Sequence, residues 1–459
     1  MNPLSSHRRA KLSLTLIVAA ACGGGGEHSP TLVSIAVAPP NPSLELGDNQ
    51  VFSATGTLTD HSLVDLTRVA TWSSSDTAVL RLDNSAGRVG VANTRGPGTA
   101  TVSASTGGFN GSTTATVTRR TPRFLYASNL GNSNLSAFSI DPGTGGLARI
   151  GMPLATTAGA TSIAVTRDFK FLYSADFSND KLSRFSIEPD GSLASAGAPL
   201  SIANAPLGVT ADPTRDVLYV STQGSGITIV TVEPANGAAS VRGSVDLGNA
   251  PQFGAITPDG HFFFQTLSAA GQVAGFSVGT GGALTALDGG LTATDAFPRA
   301  VAIDPSGRFL YVVISKPVGP GPSTSIVEGY SIDPASGVLT TISGSPFDAG
   351  VDPVFAAVDP SGRFLFVANY LANAVSVWVI DPETGGLAPV AGSPFAVTAA
   401  SPFFVTADPS GRYLYVGTGT VDADAGIRGF TIDQSTGALI PNPAATAPGA
   451  AVWSIAVTH

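Results

Sequence analysis

Residues 302–311, which read Ala-Ile-Asp-Pro-Ser-Gly-Arg-Phe-Leu-Tyr, decide the fold of this 459-residue chain because their pattern recurs. A short apolar strand leads into an Asp-Pro-Ser-Gly turn, and a second strand then opens with a triplet of large apolar residues. Seven triplets of this kind occur at spacings of 45 to 55 residues, and they begin at Phe124, Phe171, Val217, Phe262, Phe309, Phe364 and Tyr413. Self-similarity at such a period is typical of repeat architectures.

Each copy carries further strand and turn signals. The triplet is followed by a strand, as at 135–140, and by a second turn that begins with Asp-Pro and ends with Gly, as at 141–146 and 381–386. Three or four short strands with such turns make one propeller blade. Seven copies therefore predict a seven-bladed β-propeller over residues 121–459.

The end of the chain predicts how the ring closes. Residues 453–459 match residues 161–167, the strand that opens the second blade. The first blade, which starts at Arg123, lacks this strand. We expect the C-terminal strand to supply it, which removes the free sheet edges of an open ring.

A different strand pattern occupies residues 31–120. Short alternating strands separated by turns predict a β-sandwich. Its order resembles a bacterial Ig-like domain of group 2, on the strength of residues 46–52, 72–76 and 98–104. In that family such domains are spacers and adhesive modules. We expect Trp72 to fill the core between the two sheets.

The first 30 residues read as an export signal and a tether. A basic head and an apolar run at 12–21 predict a secretory signal over 1–21, too short to span a membrane. Residues 18–22, Val-Ala-Ala-Ala-Cys, resemble the lipobox of bacterial lipoproteins, although Ala19 stands where Leu is usual. The resemblance implies acylation of Cys22, a Gly-rich tether over 22–30 and an outer-membrane location at the cell envelope. The alternative is an ordinary secretory signal with an incidental cysteine.

The amino-acid composition narrows the possible fold and function classes of the protein. The chain is 43% hydrophobic and only 12% charged, with 54 Gly and 33 Pro, which favours an all-β fold. A net charge of -9 excludes a nucleic-acid partner, because no basic surface is available for phosphates. The single cysteine excludes disulfides and zinc–thiolate sites. We expect a monomer with no cofactor and no metal, attached to the membrane by its lipid alone.

The propeller repeat resembles the lactonase-type seven-bladed propellers, which include bacterial 6-phosphogluconolactonase, and overlaps the YVTN-type repeat. The resemblance implies lactone hydrolysis by a Pro-Arg-His stretch with Asn-Glu about a dozen residues later. Pro298 and Arg299 match, but Ala300 replaces the histidine, and Ile314 and Ser315 stand at the Asn and Glu positions. We therefore predict no catalytic residue and keep Arg299 as a candidate ligand-binding residue.

The repeat places one residue of every blade at the level of Arg299. We assign these positions to Ser162, Leu207, Gln252, Val354, Phe403 and Ser454. A channel level with one cation does not suit a phosphosugar lactone, which is a dianion and calls for several Arg or Lys.

Two functions follow. The one we favour from sequence is an exported lipoprotein whose Ig-like domain presents the propeller to a carbohydrate, small-molecule or protein ligand. The alternative is a lactonase acting on a sugar lactone or another lactone. The missing base favours binding over hydrolysis.

Overall fold

The structure, a computed structural model, describes residues 29–224, 226–248, 251–295, 297–315, 325–398, 401–419, 425–448 and 451–459. Within these ranges the chain is built from β-strands, so the predicted all-β class is confirmed. The helices of the described residues are single 3-10 turns, at Leu130–Asn132, Phe177–Asn179, Ser268–Ala270, Thr280–Gly282 and Pro443–Ala445. No helix in this part of the chain has the length and apolar character needed to cross a bilayer. Cys22, the expected signal over 1–21 and most of the expected tether lie outside the described residues.

Residues 29–118 form an N-terminal β-domain of ten strands in three small sheets. Trp72 is only 2% exposed, and its indole N–H donates to the Thr67 carbonyl at 3.0 Å. Its ring lies 6.3 Å from that of Phe52, so the two aromatics centre one hydrophobic core. The strands are β1 (Leu32–Ala38), β2 (Ser43–Glu45), β3 (Asn49–Val51), β4 (Ser53–Leu58), β5 (Leu63–Asp65), β6 (Thr71–Ser74), β7 (Leu80–Asp83), β8 (Val91–Thr94), β9 (Gly98–Thr106) and β10 (Phe109–Thr118). The strand orders of the three sheets are β1-β4-β5, β2-β10-β9-β6 and β3-β8-β7.

Seven further sheets follow, one for each predicted blade. From the second blade onward, each sheet runs from an inner strand outward in chain order, because successive antiparallel strands are joined by short turns. Blades one to four contain β11 (Phe124–Asn129), β12 (Asn134–Ile140), β13 (Leu147–Ala155), β14 (Ala160–Val165), β15 (Phe171–Asp176), β16 (Lys181–Ile187), β17 (Leu193–Ser195), β18 (Leu200–Ser201), β19 (Pro206–Ala211), β20 (Val217–Thr222), β21 (Gly226–Val232), β22 (Ala239–Asp246), β23 (Pro251–Ile256), β24 (Phe262–Leu267), β25 (Gln272–Val278) and β26 (Leu284–Ala293).

The last three blades and the closing strand complete the ring. They contain β27 (Pro298–Ile303), β28 (Phe309–Ile314), β29 (Ser325–Ile332), β30 (Leu339–Thr341), β31 (Phe347–Gly350), β32 (Pro353–Val358), β33 (Phe364–Asn369), β34 (Ala374–Ile380), β35 (Leu387–Pro389), β36 (Phe395–Ala396), β37 (Pro402–Ala407), β38 (Tyr413–Thr418), β39 (Gly426–Ile432), β40 (Leu439–Pro441), β41 (Ala447–Pro448) and β42 (Val452–Val457). Strand β42 pairs antiparallel with β11, with Ile455 opposite Ala127. The C-terminal strand is therefore the inner strand of the first blade, as the sequence predicts.

The recurring triplet holds each blade to the next. Tyr311 of the fifth blade donates its hydroxyl proton to the Gly385 carbonyl of the sixth at 2.8 Å, while the Phe309 ring packs against the Cα of Gly385. We call this pair of contacts the inter-blade clasp. Its tyrosine–glycine bond recurs at five junctions, Tyr126–Gly191, Tyr173–Gly237, Tyr219–Gly282, Tyr311–Gly385 and Tyr415–Gly145. Burial raises the pKa of these tyrosine hydroxyls, so they remain protonated donors.

The N-terminal β-domain is docked on the Asp-Pro-Ser-Gly turns of the propeller. Arg88 donates to the carbonyls of Ser306 and Gly307 at 2.7 and 3.0 Å, and Arg308 lies 3.6 Å from the buried Asp83 carboxylate. Asn49 donates to the Pro305 carbonyl at 2.8 Å. These turns lie at one end of the inner strands, and we call that end the turn face.

Candidate functional site

A β-bulge interrupts every inner strand near its first residue, at the end away from the turn face. In the fifth blade Pro298 pairs with Ile314 and Ala300 pairs with Val313, which leaves Arg299 unpaired. A bulge of this kind re-aims the extra side chain and is common beside active sites. The corresponding unpaired positions are Thr161, Leu207, Gln252, Arg299, Val354, Phe403 and Trp453, which we call the ring residues.

All seven ring residues line one cavity of about 610 Å³. The rest of its described wall comes from the loops of the first three blades, including Leu130, Phe177 and Gln223, and from Phe253 in the fourth. This volume lies within the usual range for a small-molecule site. The repeat thus converges on a single pocket, to which each blade contributes one side chain.

The ring differs from the sequence assignment at two positions. Leu207, Gln252, Val354 and Phe403 line the cavity with Arg299, but Ser162 and Ser454 do not, and that part of the assignment was wrong. Both serines are buried, and their hydroxyl oxygens accept hydrogen bonds from the backbone N–H of Val209 and Ile163 in the next blade.

Thr161 and Trp453 take the places of the two serines. The error arose because these two blades have Ala160 and Val452 where the other five have a proline before the ring residue. Counting back from the turn would have found them, since Thr166 donates its N–H to Phe171 as Asp304 does to Phe309. With this correction, the seven ring residues comprise one cation, two neutral polar residues and four apolar residues.

Arg299 is the one charged residue among the described residues that line the cavity. Its side chain is partly exposed, and within the described chain its guanidinium has neither a hydrogen-bond nor an ion-pair partner. Its backbone carbonyl is fixed by the Thr266 hydroxyl at 3.3 Å. A guanidinium with free donors favours a carboxylate or a polarised carbonyl oxygen.

The positions at which the sequence lacks the lactonase residues are occupied by structural side chains. Ala300 and Ile314 are completely buried, and neither lines the cavity. The Ser315 hydroxyl donates to the Asp352 carboxylate at 2.6 Å. No described lining residue is an Asp, Glu, His, Cys, Lys or Tyr, so this wall offers no general base.

One buried carboxylate, which the sequence did not single out, lies beside the site. Asp176 precedes the lining residues Phe177 and Ser178, and it is 0% exposed. Its oxygens accept hydrogen bonds from the hydroxyls of Thr157 and Ser174, and a third comes from Ser183. With its lone pairs occupied, Asp176 holds the loop in place. The described residues contain no cluster of His, Cys, Asp or Glu that could hold a metal ion.

Comparison with known proteins identifies the fold of the propeller. The family model "Lactonase, 7-bladed beta-propeller" matches residues 149–251 and 321–393. A candidate 6-phosphogluconolactonase from Bacteroides uniformis superposes with a TM-score of 0.63 at 17% identity, covering 74% of this chain and 100% of that one. The periplasmic gluconolactonase of Pseudomonas aeruginosa gives a TM-score of 0.60 at 17% identity, covering 74% of this chain and 99% of that one. The fold of this chain is therefore a lactonase-type seven-bladed β-propeller.

Two curated relatives match shorter stretches. The 6-phosphogluconolactonase of Formosa agariphila is 35% identical over 78 residues, which are 17% of this chain and 20% of that protein. Ice-binding protein 1 of Shewanella frigidimarina is 44% identical over 88 residues, which are 19% of this chain and 9% of that protein. The chain thus spans a fifth or less of the length of these relatives.

Proposed function

We propose that the propeller is a lactone hydrolase whose substrate binds in the cavity with its ester carbonyl oxygen against Arg299. The observation that carries the proposal is the Arg299 guanidinium, which has no partner among the described residues and lies on a cavity wall whose other described residues are uncharged. The comparisons support hydrolysis over the ligand-presenting role favoured from sequence, because the family model and the structural neighbours are lactonase-type.

The site can promote hydrolysis by stabilising the negative charge that develops on the carbonyl oxygen of the substrate. Water adds to the carbonyl carbon, and the carbonyl oxygen gains negative charge in the tetrahedral intermediate. Arg299 donates hydrogen bonds to that oxygen, with the Gln252 amide on the neighbouring blade as a second donor. The ring C–O bond then breaks, one proton of the added water passes to the leaving oxygen and the other to solvent, and the product is a hydroxy carboxylate paired with Arg299.

The single cation also limits the substrate. A phosphorylated lactone brings two negative charges, and the described wall balances one of them. An uncharged lactone needs only the donors that the cavity has. The substrate class is therefore a lactone without a phosphate group.

A second candidate function is reception of a hydroxy acid without turnover. It is supported by the lack of a general base in the described wall, since such groups typically contribute about 10²- to 10⁴-fold. Here the carboxylate would pair with Arg299, and no bond would be broken.

A pH-stat assay on glucono-δ-lactone separates the two functions. We expect saturable hydrolysis above the buffer rate, lost in Arg299→Met. Arg167→Met is the matched control, because Arg167 pairs with Asp216 at the turn face, away from the cavity. Carboxylate binding without turnover would favour the receptor, and wild-type protein that neither hydrolyses a lactone nor binds a carboxylate would refute both.

The N-terminal segments extend the same proposal. Cys22 anchors the protein in the cell envelope by its acyl chains, and residues 31–120 act as a bacterial Ig-like spacer between lipid and propeller. This is supported by the lipobox-like sequence at 18–22 and by the disulfide-free β-domain around Trp72. The lipid anchor is tested by the Cys22→Ser variant of the Discussion.

A further inference from the structure

Five of the seven ring residues form a polar arc of two and an apolar arc of three, and Thr161 and Leu207 occupy the remaining two positions. Neighbouring inner strands contact one another in chain order around the propeller. Gln252 and Arg299 are therefore adjacent, in blades four and five. Val354, Phe403 and Trp453 follow on blades six, seven and one, and all five line the cavity. In a ring of seven, the positions farthest from Arg299 are those of Trp453 and Thr161.

The apolar arc offers an aromatic surface that the described residues cover only in part. The rings of Phe403 and Trp453 are stacked at 4.3 Å with an interplanar angle of 29°. Tyr370 meets the edge of Phe403 at 6.3 Å and supports it from the side. All three side chains are only partly buried, so the stack retains area that a ligand can cover.

A polyhydroxylated ligand fits this arc poorly. Each sugar hydroxyl that leaves water needs a hydrogen-bond partner, or its desolvation is uncompensated. The side chains of Val354, Phe403 and Trp453 cannot accept hydrogen bonds from hydroxyls, and among the ring residues only Thr161, Gln252 and Arg299 carry strong donors or acceptors apart from the indole N–H. An apolar substituent, by contrast, gains free energy on the same surface.

We infer that the substrate is an amphipathic lactone, with its ester group at Gln252 and Arg299 and an aromatic or branched alkyl substituent on the Phe403–Trp453 stack. This inference rests on the proposed function for the ester end and adds the identity of the other end. The hydroxy acid released by hydrolysis keeps the same two contacts, so carboxylates serve as stable probes.

Calorimetric titration with two carboxylates of equal charge tests the inference. We expect 3-phenylpropanoate to bind at least about ten-fold more tightly than gluconate, since burying a phenyl ring is worth one order of magnitude or more in affinity. Trp453→Ala should remove about ten-fold of the 3-phenylpropanoate affinity and leave the weak gluconate affinity unchanged. Trp453→Phe should restore most of the loss, and Arg299→Met should weaken both probes.

The outcomes distinguish the inference from the proposed function. Tighter binding of gluconate, or 3-phenylpropanoate binding that Trp453→Ala leaves unchanged, would overturn the amphipathic substrate and leave the lactonase proposal standing. If neither carboxylate binds and no lactone is hydrolysed, the proposed function fails as well. Should Trp453→Ala not fold, the ratio of the two affinities in wild-type protein still decides the inference.

Discussion

Replacing Gly385 by alanine should break one inter-blade clasp and lower the stability of the whole ring. The backbone of Gly385 has φ of +75°, a left-handed conformation that costs an alanine about 1–2 kcal/mol. An added Cβ would stand 2.5 Å from Cδ1 of Phe309, so the turn must move off the ring. Overpacking of this kind costs about 1–3 kcal/mol. Moving the turn also strains the 2.8 Å bond from Tyr311, worth about 1 kcal/mol.

Together these effects predict a loss of about 3–6 kcal/mol in the free energy of unfolding, against a typical stability of about 5–15 kcal/mol. Gly386→Ala is the matched control, since its Cβ would meet only the Thr384 hydroxyl at 3.2 Å and its φ is not left-handed. Urea unfolding followed by tryptophan fluorescence should show a clearly lower midpoint for Gly385→Ala and little change for Gly386→Ala.

A double-mutant cycle sharpens this test. Tyr311→Phe alone should lower the free energy of unfolding by about 1 kcal/mol. The combined loss with Gly385→Ala should be smaller than the sum of the two single losses, because both substitutions remove the same hydrogen bond. Equal midpoints for the two glycine variants, or fully additive costs in the cycle, would refute the clasp as the element that joins the blades.

The remaining predictions concern the ring, the anchor and the chemistry. Deleting residues 451–459 removes β42 and exposes the edge of β11, so size-exclusion chromatography should show oligomers or the melting transition should be lost; an unchanged monomer with unchanged melting would contradict ring closure by β42. Cys22→Ser should move the protein from the detergent phase to the aqueous phase, because stable anchoring needs two or more acyl chains; equal partitioning would rule out lipidation. Turnover of 6-phosphogluconolactone should not exceed that of glucono-δ-lactone, since Arg299 is the only cation of the described cavity wall. The rate of hydrolysis should rise steadily with pH, following the hydroxide concentration, because the described wall has no side chain that titrates near neutral pH. A bell-shaped pH profile would indicate a general base outside that wall.

The fold was predictable because its determinants are local and repeated. The first residue of every triplet packs against a glycine of the next blade, and five triplets add the tyrosine bond, so one pattern such as Phe309 to Tyr311 recurs through all seven blades. The last strand was predictable for the same reason, since residues 453–458 repeat the opening strand of another blade. Five of the seven ring residues were correctly assigned by the repeat, including Arg299.

The remaining features of the site and of the domain contact could not be predicted, because they depend on geometry that the repeat does not encode. A bulge shifts the side chain that faces the channel by one position, and no proline marks it in the blades of Thr161 and Trp453. Whether a guanidinium is paired depends on residues distant in sequence, so only the structure shows that Arg299 has no partner among the described residues. The docking of Arg88 on the Ser306 carbonyl joins segments 218 residues apart, and both look like ordinary surface turns in the sequence.

Because the N-terminal β-domain is attached to the turn face, the β-domain and the cavity lie on opposite faces of the propeller. The ring residues lie at the opposite ends of the inner strands, so the cavity is formed on the side away from the contacts of Arg88 and Asn49. A protein immobilised on a sensor surface through its N-terminus would hold the cavity outward, towards the flowing solution. The same polarity means that the β-domain can be fused, exchanged or tagged without passing in front of the site, which makes the propeller a directional module.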